Sequence, residues 1–179
     1  KNINLVGSPA GGTWSGPGVT GDTFSSLVGA SATPYELTYS YTDGNGCSNN
    51  DKTSVLVNKA SATIVVNGYE GIYDAAPHGA TGSAEGVEGE TLAGLVLGSS
   101  FTNVPGGTAN WVFTDVTGNY NNDSGTVDNN IGEAALTITA DDASKYCGQQ
   151  NPTFSVRYNG FVGSEDETVL GGTLAFIPD

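Results

Sequence analysis

Apolar and polar side chains alternate along "YELTYSYT" (35–42), placing Tyr35, Leu37, Tyr39 and Tyr41 on one face and Glu36, Thr38, Ser40 and Thr42 on the other. A period of two is the mark of a half-buried β-strand, because successive side chains of a strand point to opposite faces. The polar run "DGNGCSNND" follows, and then "KTSVLVN"; together they predict a turn and the second strand of a hairpin. Further strands are expected at 62–66 ("ATIVV"), 110–114 ("NWVFT"), 135–139 ("ALTIT"), 153–158 ("TFSVRY") and 172–177 ("GTLAFI"). No segment sustains a 3.6-residue apolar period. Short strands separated by Gly, Asn and Pro turns predict an all-β chain built from β-sandwich modules.

Composition sharpens this picture. Glycine fills 27 of the 179 positions, methionine none, and charged residues make up 13%, about half the usual ~25%. Surface polarity must then come from Asn, Ser, Thr and Gly, which suits an extracellular protein. The net charge of −14, with four Lys and one Arg, argues against nucleic-acid binding, since no basic stripe exists to displace phosphate counterions. The same charge disfavours anionic membrane surfaces, and no apolar run approaches the ~20 residues of a membrane helix.

The chain also echoes itself. "LVGASATPYELTYSYTDGNG" (27–46) can be laid on "NVPGGTANWVFTDVTGN" (103–119), with Val28 on Val104, Tyr35 on Trp111 and Leu37 on Phe113 at one constant spacing. A repeat of this length suits tandem small β-domains better than one integrated enzyme fold. "GGTWSGPGVTGDTFSSLVGASATPYELTYSYTDGNGCSN" (11–49) resembles the bacterial Ig-like modules strung along large surface and secreted proteins. "LTITADDASKYCGQQNPTFSVRYNGFVGSEDETVLGGTLAF" (136–176) resembles the MBG domain, a β-sandwich repeat of mostly bacterial glycoproteins. Its core here reads "ADDASK", "GQQNPTF" and "GFVGSEDETVLGGTL". The segment 73–125 is similar to another repeat found in such proteins.

These resemblances imply tandem Ig-like β-sandwich modules at 1–59, 60–132 and 133–179, the first lacking an opening strand and the last being the N-terminal part of an MBG module. They imply a window cut from a longer array, or a subunit completed by a neighbour's strand.

Each chemical constellation meets a plainer alternative. The single histidine, His78, lies in the turn-like "DAAPHGATG" and is expected to be a surface or structural residue; without a second histidine or a suitably placed lysine no triad can be proposed. Trp14 and Trp111 could stack on sugars, but core filling is the expected role. Lys59, between strands, is the one lysine placed for an isopeptide bond to an asparagine. Oxygen-rich runs at 42–51, 114–123 and 127–133 are turn-forming and none fits an EF-hand. If calcium binds, Asp128, Glu133, Asp141 and Asp142, flanking the second module boundary, are its expected ligands. Cys47 has, by the Ig-like resemblance, a partner upstream of Lys1, and Cys147 replaces a tyrosine usual in the MBG pattern. The two are not expected to pair with each other, being in different modules.

The expectation is therefore a non-enzymatic, cofactor-free structural repeat region of a bacterial cell-surface or secreted adhesin. It acts as spacer, stalk or filament segment, with neighbouring modules or copies of itself as partners. The alternative is a carbohydrate-binding module using "EGVEGETLAG" (85–94) and exposed aromatics.

Overall fold

The computed structural model describes residues 2–173 and 175, and the architecture is all-β. The first strands are β1 (Asn2–Asn4), β2 (Thr13–Ser15), β3 (Val19–Thr20), β4 (Thr23–Ser25), β5 (Tyr35–Thr42) and β6 (Ser48–Val55). There follow β7 (Thr63–Asn67), β8 (Glu70–Ile72), β9 (Thr81–Glu85), β10 (Leu95–Val96), β11 (Gly106–Phe113) and β12 (Asp123–Gly132). The chain ends with β13 (Thr137–Ala140) and β14 (Val156–Asn159). Two compact units form: Lys1–Val65 with Gly82–Val96 and Val112–Ser124, and Val66–Thr81 with Leu97–Trp111 and Gly125–Asp179. No helix among the described residues is long and apolar enough to cross a membrane.

In the first unit two three-stranded antiparallel sheets, β1-β4-β3 and β2-β5-β6, make a small sandwich. Phe24 of β4 and Leu37 of β5 are fully buried, and the Phe24 ring meets that of Tyr35 at 6.1 Å between centroids. Burial of each such side chain contributes roughly 1.5–3 kcal/mol. Trp14 of β2 packs against its register partner Tyr39 with centroids 5.0 Å apart. It is only half-buried, and its Nε1 is enclosed without a hydrogen-bond partner. The expectation that Trp14 and Trp111 fill cores is met by half: both are half-buried, and full burial goes to Phe24, Leu37 and Phe113.

The strand expected at 35–42 is β5 itself, while its partner starts earlier than "KTSVLVN". The cause is local. The Asp43 carboxylate accepts the backbone N–H of Asn45 and Cys47 at 2.9 and 2.8 Å, and Gly46 takes a φ of 86°. The turn therefore closes by Cys47, and Ser48 already faces Thr42. Asn49, Asn50 and Asp51 can lie in a strand because this edge strand is exposed from Ser48 to Ser54 and their side chains reach water.

The second unit holds most of the surprises for pattern reading. "VDNNIGE" is not a turn: residues through Gly132 lie in β12, which pairs in parallel with β8, Asn130 opposite Glu70 and Ile131 opposite Gly71. Asn129 is 1% exposed, and its Oδ1 accepts the Tyr69 N–H at 3.0 Å. Such a residue looks like a turn former in sequence yet here satisfies a backbone donor inside the fold. Gly106, with a φ of 92°, passes so close that an added Cβ would sit 2.0 Å from the Asn129 carbonyl oxygen, so only glycine fits.

His78 stacks on Tyr69, ring centroids 3.8 Å apart and planes within 9°, and its Nε2 lies 2.8 Å from Asp74 Oδ1. β13 and β14 form an antiparallel pair, Thr137 opposite Asn159 through Ala140 opposite Val156. Half of the strand expected at 172–177, residues 174, 176 and 177, lies outside the described residues.

Candidate functional site

The segment "DVTGNYNN" (115–122) is composed like a turn, and locally it behaves as one. Asp115 gathers the loop onto its carboxylate: Oδ1 accepts the Thr117 N–H at 2.9 Å and the Thr117 hydroxyl at 2.8 Å, and Oδ2 accepts the Tyr120 N–H at 2.9 Å. Asn122 closes the loop from the other side by accepting the Asp115 N–H at 2.9 Å. Burial pushes the Asp115 carboxyl up, but the donors from Tyr120, Thr117 and Gly118 outweigh it and bring its pKa to about 2.

The loop so fixed holds out Asn119, and Asn119 ties together two distant stretches of the first unit. Its Oδ1 accepts the Ala30 N–H at 2.8 Å, while its backbone carbonyl accepts the Ala60 N–H at 2.9 Å. Ala60 returns the bond by accepting the Asn121 N–H at 2.8 Å, and Val57 accepts the Ser31 N–H at 3.0 Å. The crossing from β6 to β7, residues 56–62, is thus held at three backbone groups, on one side by the 30–31 turn and on the other by the 119–121 loop.

Beneath the loop Tyr120 is 5% exposed; its hydroxyl donates to Glu90 and accepts the Val87 N–H at 3.1 Å. That bond from Tyr120 lowers the Glu90 pKa, and Glu90 in turn raises that of Tyr120. A cavity of about 410 Å³ lies here, bordered by Leu27, Val57, Val87, Glu90, Asn119 and Tyr120. The "EGVEGETLAG" turn does line a concavity, but the aromatic ring in it is buried and offers no platform for stacking a sugar.

The four carboxylates expected at a calcium site are dispersed. Asp128 accepts the Thr108 hydroxyl at 2.6 Å. Asp141 pairs with Arg157 Nε at 2.6 Å and accepts the Ser155 hydroxyl at 2.8 Å. Glu133 and Asp142 are exposed, and no three His, Cys, Asp or Glu side chains converge on a metal position among the described residues. Cys47 and Cys147 are both exposed free thiols. Lys59 borders an open cavity with Asn58 and Asn121, and among the described residues no carboxylate lines it as an isopeptide bond would need. Asn119 was missed by pattern reading. Its only sequence signal was its place in the "TGN" that aligns with "DGN" of the first repeat.

Residues 136–178 match the family model of the MBG domain (YGX type). The match covers the segment whose residues carry that resemblance, and it does not extend over 11–49 or 73–125. No curated protein and no solved structure matches the chain.

Proposed function

We propose that this chain is a structural repeat segment of a bacterial extracellular adhesin or surface fibre, working as a spacer, stalk or filament-forming piece and performing no catalysis. The observation that carries this reading is the pinned crossing at 57–60. A connector hydrogen-bonded to both of its neighbours transmits load and keeps its angle, whereas a free connector of the same length would act as a hinge. The MBG match at 136–178 supports it from the sequence side.

In this reading the modules run 1–59, 60–132 and 133–179; the Asn119 clamp meets the chain beside the first of these sequence boundaries and lies wholly inside the first compact unit. Partners are then neighbouring modules or further copies of the chain. The test is electron microscopy of the native cell-surface material with an antibody against this chain. Label spaced along stalks or fibres is expected; label confined to compact secreted particles would refute the reading.

A further inference from the structure

β6 stands at the outer end of the β2-β5-β6 sheet and is exposed from Ser48 to Ser54. The Asp43 N–H donates to the Cys47 carbonyl at 2.9 Å, and the register then runs unbroken from Thr42 opposite Ser48 to Tyr35 opposite Val55. By the alternation of an antiparallel ladder, Asn49, Asp51 and Thr53 bond to β5, while the backbone groups of Ser48, Asn50, Lys52 and Ser54 point outward. Such a row is a template for one more strand.

Two of its donors are already taken. The Asn50 N–H is given to Asn49 Oδ1 and the Lys52 N–H to Asp51 Oδ1, each at 2.9 Å. A strand arriving at this edge has to displace both side chains before its carbonyls reach those donors. Asp51 adds a second obstacle. It lies opposite Tyr39 in the register, and so on the face of the sheet that carries Leu37, yet it stays exposed. An added strand would lay side chains beside this carboxylate and draw it out of water. On the other face Lys52 pairs with Glu36 at 2.7 Å. Lysine on the edge and a charge turned toward the core side both discourage an edge strand from pairing.

The strand of matching length and twist is β6 of a second copy, paired antiparallel about a two-fold axis. In the register of fullest overlap, position 50 faces position 52 of the second copy. Each Asp51 then faces its own counterpart across a non-hydrogen-bonded pair, with Cα atoms about 4.5 Å apart. Like charges placed directly opposite destabilise a sheet.

We infer that β6 is a pairing surface for a second copy of this chain that Asn49 and Asp51 hold closed, Asn49 by capping an amide and Asp51 by both cap and charge. The inference concerns sideways pairing through this one edge and stands whether or not the chain is a spacer.

The experiment follows the full chain by sedimentation at rising concentration and by amide hydrogen exchange, in reductant because Cys47 and Cys147 are exposed thiols. In the wild-type chain, exchange at Asn50 and Lys52 should not slow as concentration rises. Asn49→Ala combined with Asp51→Ala removes both caps and should tighten self-association at least about tenfold, with Asn50 and Lys52 protected in the dimer. Asp51→Asn keeps the acceptor and loses the charge, and should fall between the two. Slow exchange at Leu37 checks that the sandwich is intact in each variant. Wild-type chains that protect Asn50 and Lys52 on association would overturn the inference, and this arm decides even where the double variant fails to fold. A folded double variant that associates no more tightly than wild type would overturn it too. So would Asp51→Asn associating as tightly as the double variant, which would leave the caps without a role.

Discussion

β5 with β6 and β13 with β14 are both antiparallel pairs whose leading strand alternates apolar and polar residues, yet they end in opposite environments. Leu37 of β5 is fully buried, whereas every residue of β13 is exposed, Ile138 by half. The difference lies outside the strands. β5 has β2 on its second edge and the β1-β4-β3 sheet, led by Phe24, over its face. β13 has neither among the described residues. Alternation therefore specifies a strand and the face that is able to be buried; burial itself depends on which other element arrives.

That contrast can be broken most severely at its buried end. Leu37→Ala should cost about 2–5 kcal/mol through lost burial and the cavity left behind, measured by denaturant unfolding. A loss below about 1 kcal/mol would mean that β5 is not the core strand it is described as. Next in size is Asn119→Ala, which leaves the Ala30 N–H without its acceptor and should cost about 1–2 kcal/mol. Hydrogen exchange should speed up at Ala30 and stay unchanged in β14. At the exposed end, Ile138→Ala should change stability by less than about 0.5 kcal/mol; a larger loss would show that something covers β13.

The smallest effect concerns pH. The Asp115 carboxyl titrates at about 2, below its ordinary 3.8, so its folded-state pKa is depressed. Its contribution to stability is present above pH 4 and is lost as pH falls from about 4 toward 2. The amide signals of Thr117 and Tyr120, followed by NMR, should move with a midpoint near 2. A midpoint near 3.8 would mean that the loop is not gathered on this carboxylate.

Much of the strand content was legible because alternation and turn composition are local. The strand at 35–42 appears with the expected bounds, and β7, β11, β13 and β14 appear within a few residues of theirs. What escaped was set by distant partners. β12 runs through "DNNIG" because β8 pairs with it and Asn129 satisfies the Tyr69 amide, neither of which a local window contains. Short strands such as β3 and β10, of two residues each, carry no period to detect.

The joint shows the same limit. "TGNYNN" is readable as a turn, but nothing in it announces that Asn119 will reach residues 30 and 60. Conversely, acids close in sequence, such as Asp141 and Asp142, need not share a site: Asp141 is taken up by Arg157 and Ser155.

The account rests on a crossing that is held rather than hinged, and amide hydrogen exchange at Ala30, Ala60 and Asn121 tests it most directly. These three amides should exchange as slowly as those at the centre of β5, released only when the first unit opens as a whole. Exchange at the rate of a free loop, while β5 stays protected, would show a flexible hinge at 57–60 and contradict the account.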